Sequence, residues 1–394
     1  MSDHAGTGGP RIRLAYLTNI PAPYRAVMLR AWADENPDLA LSVCYTDPDD
    51  QGRGWSVDAI GHGVAETRLP VAASIRKYGK LNRGLHRMVR DHDVIMIGGF
   101  EQASYLVVAL WARLMGKPVV LLFDGFSPAR FGNEPAPVLA LKRLTARLCQ
   151  GFFANGTVGE RYLREQAGVA AGQAIYNQYL SHSDAPIRAA RDALAGMSKP
   201  QIQARLGIDA AGRPVLLCCG YLIPRKRIDL VIEAIGQLAE GERPMLLIVG
   251  SGPEETALRD MAARLAVPTH FAGFRQGQEL AEHYFAADGL VLASNDDPWG
   301  LVVNEAMSAG LPVLVSDACG AALDLVRDSE NGFVFDWRSA DSLAQAIGKL
   351  LASNLNQLGA TSQAMVADWT PSQSARNLGL VVRDVLGSAR KPCR

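Results

Sequence analysis

The sequence predicts an α/β protein made of two doubly wound, parallel-sheet domains that face a cleft. Three observations carry this. The chain has 394 residues, more than one ordinary core organises. Short runs rich in Leu, Ile and Val alternate with helix-length stretches, the order of βαβ units with both sheet faces covered. The alternation also occurs twice, once up to about residue 176 and again from Pro214.

In the first series the expected strands are Ile12–Leu17, Leu41–Tyr45, Val94–Ile97, Val119–Phe123 and Gly151–Ala154. Each is a near-continuous apolar run, as a strand buried on both faces should be. Helices are expected over Tyr24–Trp32, Leu81–Asp91, Ala103–Leu114 and Pro137–Cys149. In the second series the strands are Val215–Cys219, Met245–Val249, Thr269–Phe271, Gly289–Leu292, Val313–Val315 and Phe333–Phe335. Its helices are Ile228–Ala239, Pro253–Leu265, Glu279–Ala286, Leu301–Ala309 and Ala340–Leu351. This divides the chain into a domain over 1–180, a polar, turn-rich linker with one or two helices over 181–213, a second domain over 214–368, and a final helical stretch over 369–394. Pro371 suits the first turn of that last helix. The two series share no repeat, so the architecture recurs without a duplicated sequence.

Composition narrows the function. Hydrophobic residues make up 48% and charged residues 20% of the chain, and the formal net charge is zero. That composition suits a globular protein and gives no reason to expect nucleic acid as a partner. The six cysteines stand at 44, 149, 218, 219, 319 and 393. Their spacing fits neither a zinc site nor a disulfide framework, so buried free thiols in a reducing, cytoplasmic setting are expected. Met1–Pro10 lacks the apolar core of a signal peptide, and no stretch has the length of a membrane span. Membrane contact, if made, is peripheral: Arg76, Lys77, Lys80, Arg83 and Arg87 could rest on anionic lipid, or simply form a solvated face.

Ligands of doubly wound sheets bind beyond the carboxyl ends of the strands. Four loops of the second series lie there. Gly220–Arg227 puts Arg225, Lys226 and Arg227 before a helix, where cations oppose the helix dipole and an anion would compensate. A solvated basic turn is the plain alternative. Gly250-Ser251-Gly252 lets backbone approach a ligand, or forms a tight turn. A dinucleotide fingerprint would need a glycine where Glu255 stands, which disfavours a nicotinamide enzyme. Ser294–Glu305 holds Asp297 in the loop and Glu305 among the apolar residues Leu301, Val302, Val303, Ala306 and Met307. A carboxylate there needs a partner, either ligand hydroxyls or a neighbouring cation. Ser316-Asp317-Ala318-Cys319-Gly320 is a further small-residue loop. Together these loops suit a phosphorylated, hydroxyl-rich ligand.

Taken in order, the motifs resemble a known family. Gly220-x-Leu222-x-x-x-Lys226, Ile248-Val249-Gly250-Ser251-Gly252-Pro253, Phe271-x-Gly273-Phe274, Asp297-x7-Glu305 and its continuation through Pro312-Val313, Ser316-Asp317 and Asn331-Gly332 are similar to the retaining glycosyltransferases of family four, the group 1 glycosyltransferases. Asn19 to Arg25 and Gly156-Thr157 resemble one branch of that family. The resemblance implies the GT-B fold: two Rossmann-like domains, the C-terminal one binding a UDP- or GDP-sugar, the N-terminal one an acceptor sugar or lipid-linked saccharide. The last helix would cross back to the first domain. Lys226 would bind the donor diphosphate, Glu305 the ribose hydroxyls, and Asp297 would sit near the donor sugar. The donor site would also include Gly220, Tyr221, Arg225, Gly250, Gly252, Trp299, the backbone of Gly300, Leu301 and Val302 facing sugar and phosphate, and Phe274 and Arg275 beside the base. Tyr221 stands where the family usually has Arg, and Asp297 where it usually has Glu.

The implied reaction is a hexosyl transfer with retention at the anomeric carbon. It needs no metal or cofactor, because Lys226 and the helix start before Leu301 would stabilise the leaving diphosphate. A donor phosphate oxygen would help remove the acceptor's proton. Acceptor candidates in the first half are Asn19, Pro23, Tyr24, Arg25, Glu101 and Asp124. Bacterial polysaccharide or glycoconjugate synthesis is the expected setting. A nucleotide-sugar epimerase of the same fold, or a non-catalytic nucleotide-sugar-binding protein, remains the alternative.

Overall fold

A computed structural model describes residues 11–47, 59–75 and 79–389. The cations Arg76 and Lys77, the stretch Met1–Pro10 and Cys393 lie outside the described residues. The chain forms two compact units. The first takes residues up to 125, 132–181 and 370 onward; the second takes 126–131 and 182–369.

The first unit begins with β1 (Ile12–Thr18), α1 (Pro23–Glu35), β2 (Leu39–Tyr45), β3 (Ala65–Arg68), β4 (Val71–Ser74) and β5 (Lys80–Asn82). It continues through α2 (Leu85–Asp91), β6 (Val94–Ile97), α3 (Ala103–Leu114), β7 (Val119–Phe123), α4 (Ala136–Leu148), β8 (Gly151–Ala154), α5 (Gly156–Glu165) and β9 (Ile175–Asn177). Its main sheet has the order β3-β2-β1-β6-β7-β8-β9 and is parallel throughout, while β4 and β5 pair as a small antiparallel hairpin. One face buries Leu14, Tyr16, Val120, Leu122 and Phe153 against Met28, Leu29 and Trp32 of α1. The same cluster takes in Leu378, Val381, Val382 and Val385 of the chain's last helix. Pro23 and Pro371 open those two helices, where a missing N–H costs nothing.

The second unit holds α6 (Ala185–Ala193), α7 (Lys199–Arg205), β10 (Val215–Cys219), α8 (Ile228–Gln237), β11 (Met245–Val249), α9 (Glu255–Arg264), β12 (Thr269–Gly273) and α10 (Gly277–Ala286). After these come β13 (Gly289–Leu292), α11 (Leu301–Ser308), β14 (Val313–Ser316), α12 (Ala321–Leu325), β15 (Gly332–Phe335), α13 (Ala340–Leu351) and α14 (Leu355–Val366). Its sheet is parallel, in the order β12-β11-β10-β13-β14-β15. From β10 the chain winds outward one way to β12, then returns to β13 and winds the other way. The reversal between β10 and β13 fixes where a ligand belongs. The last helix, α15 (Pro371–Ala389), packs in the first unit on α1.

Several elements differ from the sequence expectation. Residues 181–213 contribute α6 and α7, which pack on α10 within the second unit. The helix expected from Leu81 starts at Leu85, because residues 80–82 form β5 and Gly84 turns the chain at φ 83°. Strands β3, β4 and β9 and helices α5, α12 and α14 were not foreseen. Cys44, Cys149, Cys218, Cys219 and Cys319 are free thiols. Among the described residues, no helix is long and apolar enough to cross a membrane.

Candidate functional site

The loops after β10 and β13 meet at the reversal point of the second sheet. The β10 loop ends in a single 3-10 turn over Pro224–Lys226, and Arg227 takes a left-handed conformation (φ 50°) to start α8. The three cations therefore precede the helix rather than occupy its first turn. Each has a protein partner, so none forms the plain solvated turn that was the alternative. Lys226 Nζ donates to Asp297 Oδ2 at 2.7 Å, both side chains being largely buried. Arg225 Nη1 donates to the carbonyl of Asp296 at 2.6 Å, tying the two loops together. Arg227 pairs with Asp229 at 3.1 Å and reaches the carbonyl of Trp337.

Asp297 is held by its backbone as well. Its N–H donates to Ala318 and its carbonyl accepts from Gly320, a one-residue bridge to the loop after β14. The carboxylate thus sits on a fixed support facing Lys226. Gly300 follows at φ 93°, and a Cβ there would lie 2.6 Å from Leu292 and 2.9 Å from Cys319 Sγ. This glycine opens α11, whose start has no side-chain cap and no acidic residue in the first turn. Leu301 and Val302 are half-buried there. An uncapped helix start presents N–H groups and the positive end of a dipole.

Glu305 lies one turn along α11. Within the protein it meets a hydroxyl, not the neighbouring cation that was one of the two partners considered from sequence. Tyr284 of α10, fully buried, donates its hydroxyl to Glu305 Oε2 at 2.5 Å. Burial, then the neighbouring Glu305 charge, pushes the Tyr284 hydroxyl far above the usual tyrosine range. The same two causes raise the Cys219 thiol to about 12. One carboxylate oxygen is engaged by Tyr284, so the group is oriented.

The glycines of the β11 loop have a different reason from the one expected. A Cβ on Gly250 would lie 1.9 Å from the Gly220 carbonyl, and one on Gly252 2.4 Å from that of Leu222. The β10 and β11 loops pack backbone to backbone, with Leu222 N–H bonded to Ser251. Gly220 lies at φ 143°, and a Cβ there would be in ordinary contact with the Lys226 stem at 3.7 Å. Trp299 is also corrected: its ring is buried, stacks on Trp369 with centroids 4.8 Å apart, and donates Nε1–H to Asn304 at 2.9 Å. It supports the loop from beneath. Tyr221 and Phe274 are exposed aromatics at the ends of β10 and β12, and Arg275 folds onto the Phe274 carbonyl. Ser316 Oγ donates to the Ser294 carbonyl, and Asp317 accepts from Trp337 N–H.

In the first unit, Arg25 and Asp124 form an ion pair beyond the ends of β1 and β7. The guanidinium is buried over the rings of Tyr16, Tyr24 and Trp32 at 5.4–6.0 Å. Desolvation works against its charge, but Asp124 and the tyrosines overcome this and raise its pKa. Burial moves the Tyr16 hydroxyl up to about 12. Asn19 turns its side chain onto Ile20 N–H, and Glu101 folds back to accept from Phe100 N–H at 3.0 Å. Pro23 is exposed at the first turn of α1. Sequence reasoning missed Asn155 and Gln178, on the same strand-end edge. Like Arg25 Nη1, the Asn155 Nδ2 and the Gln178 side-chain amide are buried without a hydrogen-bond partner. For Asn155 a polar residue just past the apolar strand β8 was the available signal; β9, which precedes Gln178, has no apolar run to give one. Among the described residues, no three His, Cys, Asp or Glu side chains converge as a metal-ligand set.

Two parallel α/β units with a cation, carboxylates and an open helix start at a strand-order reversal define a nucleotide-type binding architecture. Comparison with known proteins identifies it further. Residues 199–365 match the family described as Glycosyl transferases group 1. The chain is 28% identical over 277 residues to a GDP-mannose-dependent alpha-(1-6)-phosphatidylinositol monomannoside mannosyltransferase of Mycobacterium tuberculosis, covering 68% of this chain and 69% of the relative. It is 30% identical over 189 residues to a D-inositol 3-phosphate glycosyltransferase of Nocardia farcinica, covering 45% and 41% of the two chains. Its fold matches Anabaena Alr3699/HepE in complex with UDP, with a TM-score of 0.69 and 18% identity over 95% of this chain and 100% of that one. It also matches sucrose-phosphate synthase of Thermosynechococcus elongatus, with a TM-score of 0.70 and 18% identity over 96% and 100% of the chains. These neighbours share the two-domain GT-B type of fold. The chain thus carries a group 1 glycosyltransferase match over residues 199–365 and is similar to glycosyltransferases over about two thirds of its length.

Proposed function

We propose that the protein transfers a hexose-type sugar from a UDP- or GDP-sugar to an acceptor sugar or lipid-linked saccharide, with retention of the anomeric configuration. The observation that carries this is the meeting of Lys226 with Asp297 beside the open start of α11, at the strand-order reversal. The GDP-mannose-dependent relatives favour a GDP-sugar, and a mannosyl group, as the first donor to test. The reaction belongs to bacterial polysaccharide or glycoconjugate synthesis, in the cytoplasm with peripheral membrane contact.

On this reading the donor diphosphate takes Lys226 from Asp297. The released carboxylate then accepts from a hydroxyl of the donor sugar. Glu305, oriented by Tyr284, accepts from the ribose hydroxyls. Charge developing on the leaving diphosphate is met by Lys226 and by the N–H groups at the start of α11, so no metal ion is required. Phe274 and Arg275 border the base. Arg25, Tyr24 and Asp124 bind the acceptor in the first unit, with Asn19 and Glu101 on the same strand-end edge.

The test is thermal stabilisation by a panel of UDP-, GDP- and TDP-sugars, followed by transfer assays with the best donor. Lys226→Ala is expected to lower kcat/KM at least about 100-fold, the usual loss for a group that stabilises leaving-group charge. Glu305→Ala should chiefly raise the donor KM. Undiminished transfer by the double variant would overturn the mechanism.

A further inference from the structure

We propose that Arg130 is a second cation for the donor's diphosphate, supplied to the second unit by the stretch of chain between β7 and α4. The proposal rests on the donor reading above and adds a residue from outside the loops of the second sheet. Residues 126–131 pack in the second unit. Ser127 docks them: it is fully buried, and its Oγ donates to the Ala318 carbonyl at 2.9 Å. The N–H of Asp297 donates to that same oxygen at 3.3 Å. A single 3-10 turn, Pro128–Arg130, then brings Arg130 against Asp296.

The surroundings hold the Arg130 charge in place without using its donors. The guanidinium carbon lies 5.0 Å from the ring centre of Phe126, itself buried. Arg130 Nε is 3.0 Å from Asp296 Oδ1, within ion-pair distance. Its N–H is nonetheless turned off that oxygen, which stays buried without a hydrogen-bond partner. With side chains 52% and 31% exposed, such a pair stabilises little and is easily given up. An arginine serving only to anchor the loop would bond Asp296 through its fork, and this one does not. Arg225 holds the Asp296 carbonyl, and Lys226 holds the Asp297 carboxylate. Those two aspartates are consecutive, their Cα atoms about 3.8 Å apart. Lys226 is a point charge, whereas a diphosphate is charged on both phosphates. A guanidinium takes two phosphate oxygens at once. Arg130, with its donors open one residue step from the Lys226–Asp297 pair, is placed for the second phosphate.

The experiment is calorimetry on the full chain with GDP and GMP, repeated with UDP and UMP. Arg130→Ala should weaken diphosphate binding about tenfold or more, as expected for losing a charged, forked contact. It should change monophosphate binding by no more than about twofold, since the second phosphate is then missing. Asp296→Asn should act the other way and tighten diphosphate binding about two- to fivefold, because the competing carboxylate is gone. That gain should vanish when Arg130→Ala is added. A tethering role predicts a different pattern: both substitutions break the same ion pair, so both would shift affinity in one direction. Effects of the same sign, equal losses for mono- and diphosphate, or a rise confined to the acceptor KM would overturn the assignment. So would unchanged diphosphate binding by Arg130→Ala where wild type binds. Wild type that binds neither diphosphate would sink the donor reading itself, and this assignment with it.

Discussion

At the scale of single residues, Lys226 and Asp297 act as a pair. Asp297 is one methylene shorter than the glutamate usual at its position, and from its pinned backbone it still reaches Lys226. Any donor phosphate must compete with that carboxylate. Asp297→Asn removes the competitor. The variant should bind a nucleoside diphosphate without sugar about three- to tenfold more tightly, as expected for losing one close opposing charge. Its turnover should fall, since the sugar loses an ionised acceptor. Calorimetry with the free diphosphate and initial-rate assays check the two halves; weaker diphosphate binding would contradict the competition. Much of this site was legible in sequence, because loops after apolar strands show up by position alone. Lys226, Asp297 and Glu305 were singled out that way, and the structure brings the first two together. Tyr284 was not, since α10 meets Glu305 only through tertiary packing. Gly250 and Gly252 also have a packing role that sequence did not offer: nothing local reveals that one loop's carbonyls fill another's missing side chains.

At the scale of elements, the buried strands announced themselves and the edge ones did not. β3 reads Ala-Glu-Thr-Arg, fully exposed at the sheet margin, and β9 has three residues. Neither has the apolar run that marks a central strand. The helix ends carry their own stabilising devices. Arg243, between α8 and β11, donates to the carbonyls of Gly236, Leu238, Leu265 and Ala266. It closes the C-terminal ends of α8 and α9 with one side chain. Arg243→Ala should destabilise the protein by about 2 kcal/mol, read from urea midpoints, as several carbonyls lose a charged donor. In α10, His283 is buried and its pKa lies below 6.5, first through desolvation, despite a bond to the Glu279 carbonyl. His270 is shifted the same way. A lowered folded-state pKa means the unfolded chain takes the proton first. Stability is therefore full above pH 6.5 and declines as pH falls from there through the folded value. Urea midpoints across about pH 7.5 to 5.5 should drop for wild type and drop less for His283→Gln.

At the scale of the molecule, the two βαβ series were visible as a repeat of architecture, and the structure gives each its own core. That the last helix returns to complete the first unit was implied by the family resemblance, not by periodicity or composition. α15 buries Leu378, Val381 and Val382 against β-strands and α1 laid down near the start of the chain, and Trp32 Nε1 donates to Ser374 Oγ at 2.9 Å. A chain ending at Trp369 should lose protection from hydrogen exchange in Leu14–Leu17 while Val215–Val249 stays protected. Retained protection in the first strand would show that α15 is dispensable. Gly151 sharpens the point: a Cβ there would sit 2.7 Å from Val385, so α15 has a fitted seat on β8.

That seat has a cost during synthesis. The strands it covers leave the ribosome early, but residues 182–369 must be made before α15 exists. At about 5–20 residues per second, an apolar sheet face stays open for roughly ten to forty seconds in every nascent chain. Substitutions that merely weaken the α15 seat should therefore lower the yield of folded enzyme from translation more than they lower the stability of the finished molecule, and a holdase chaperone should recover the difference.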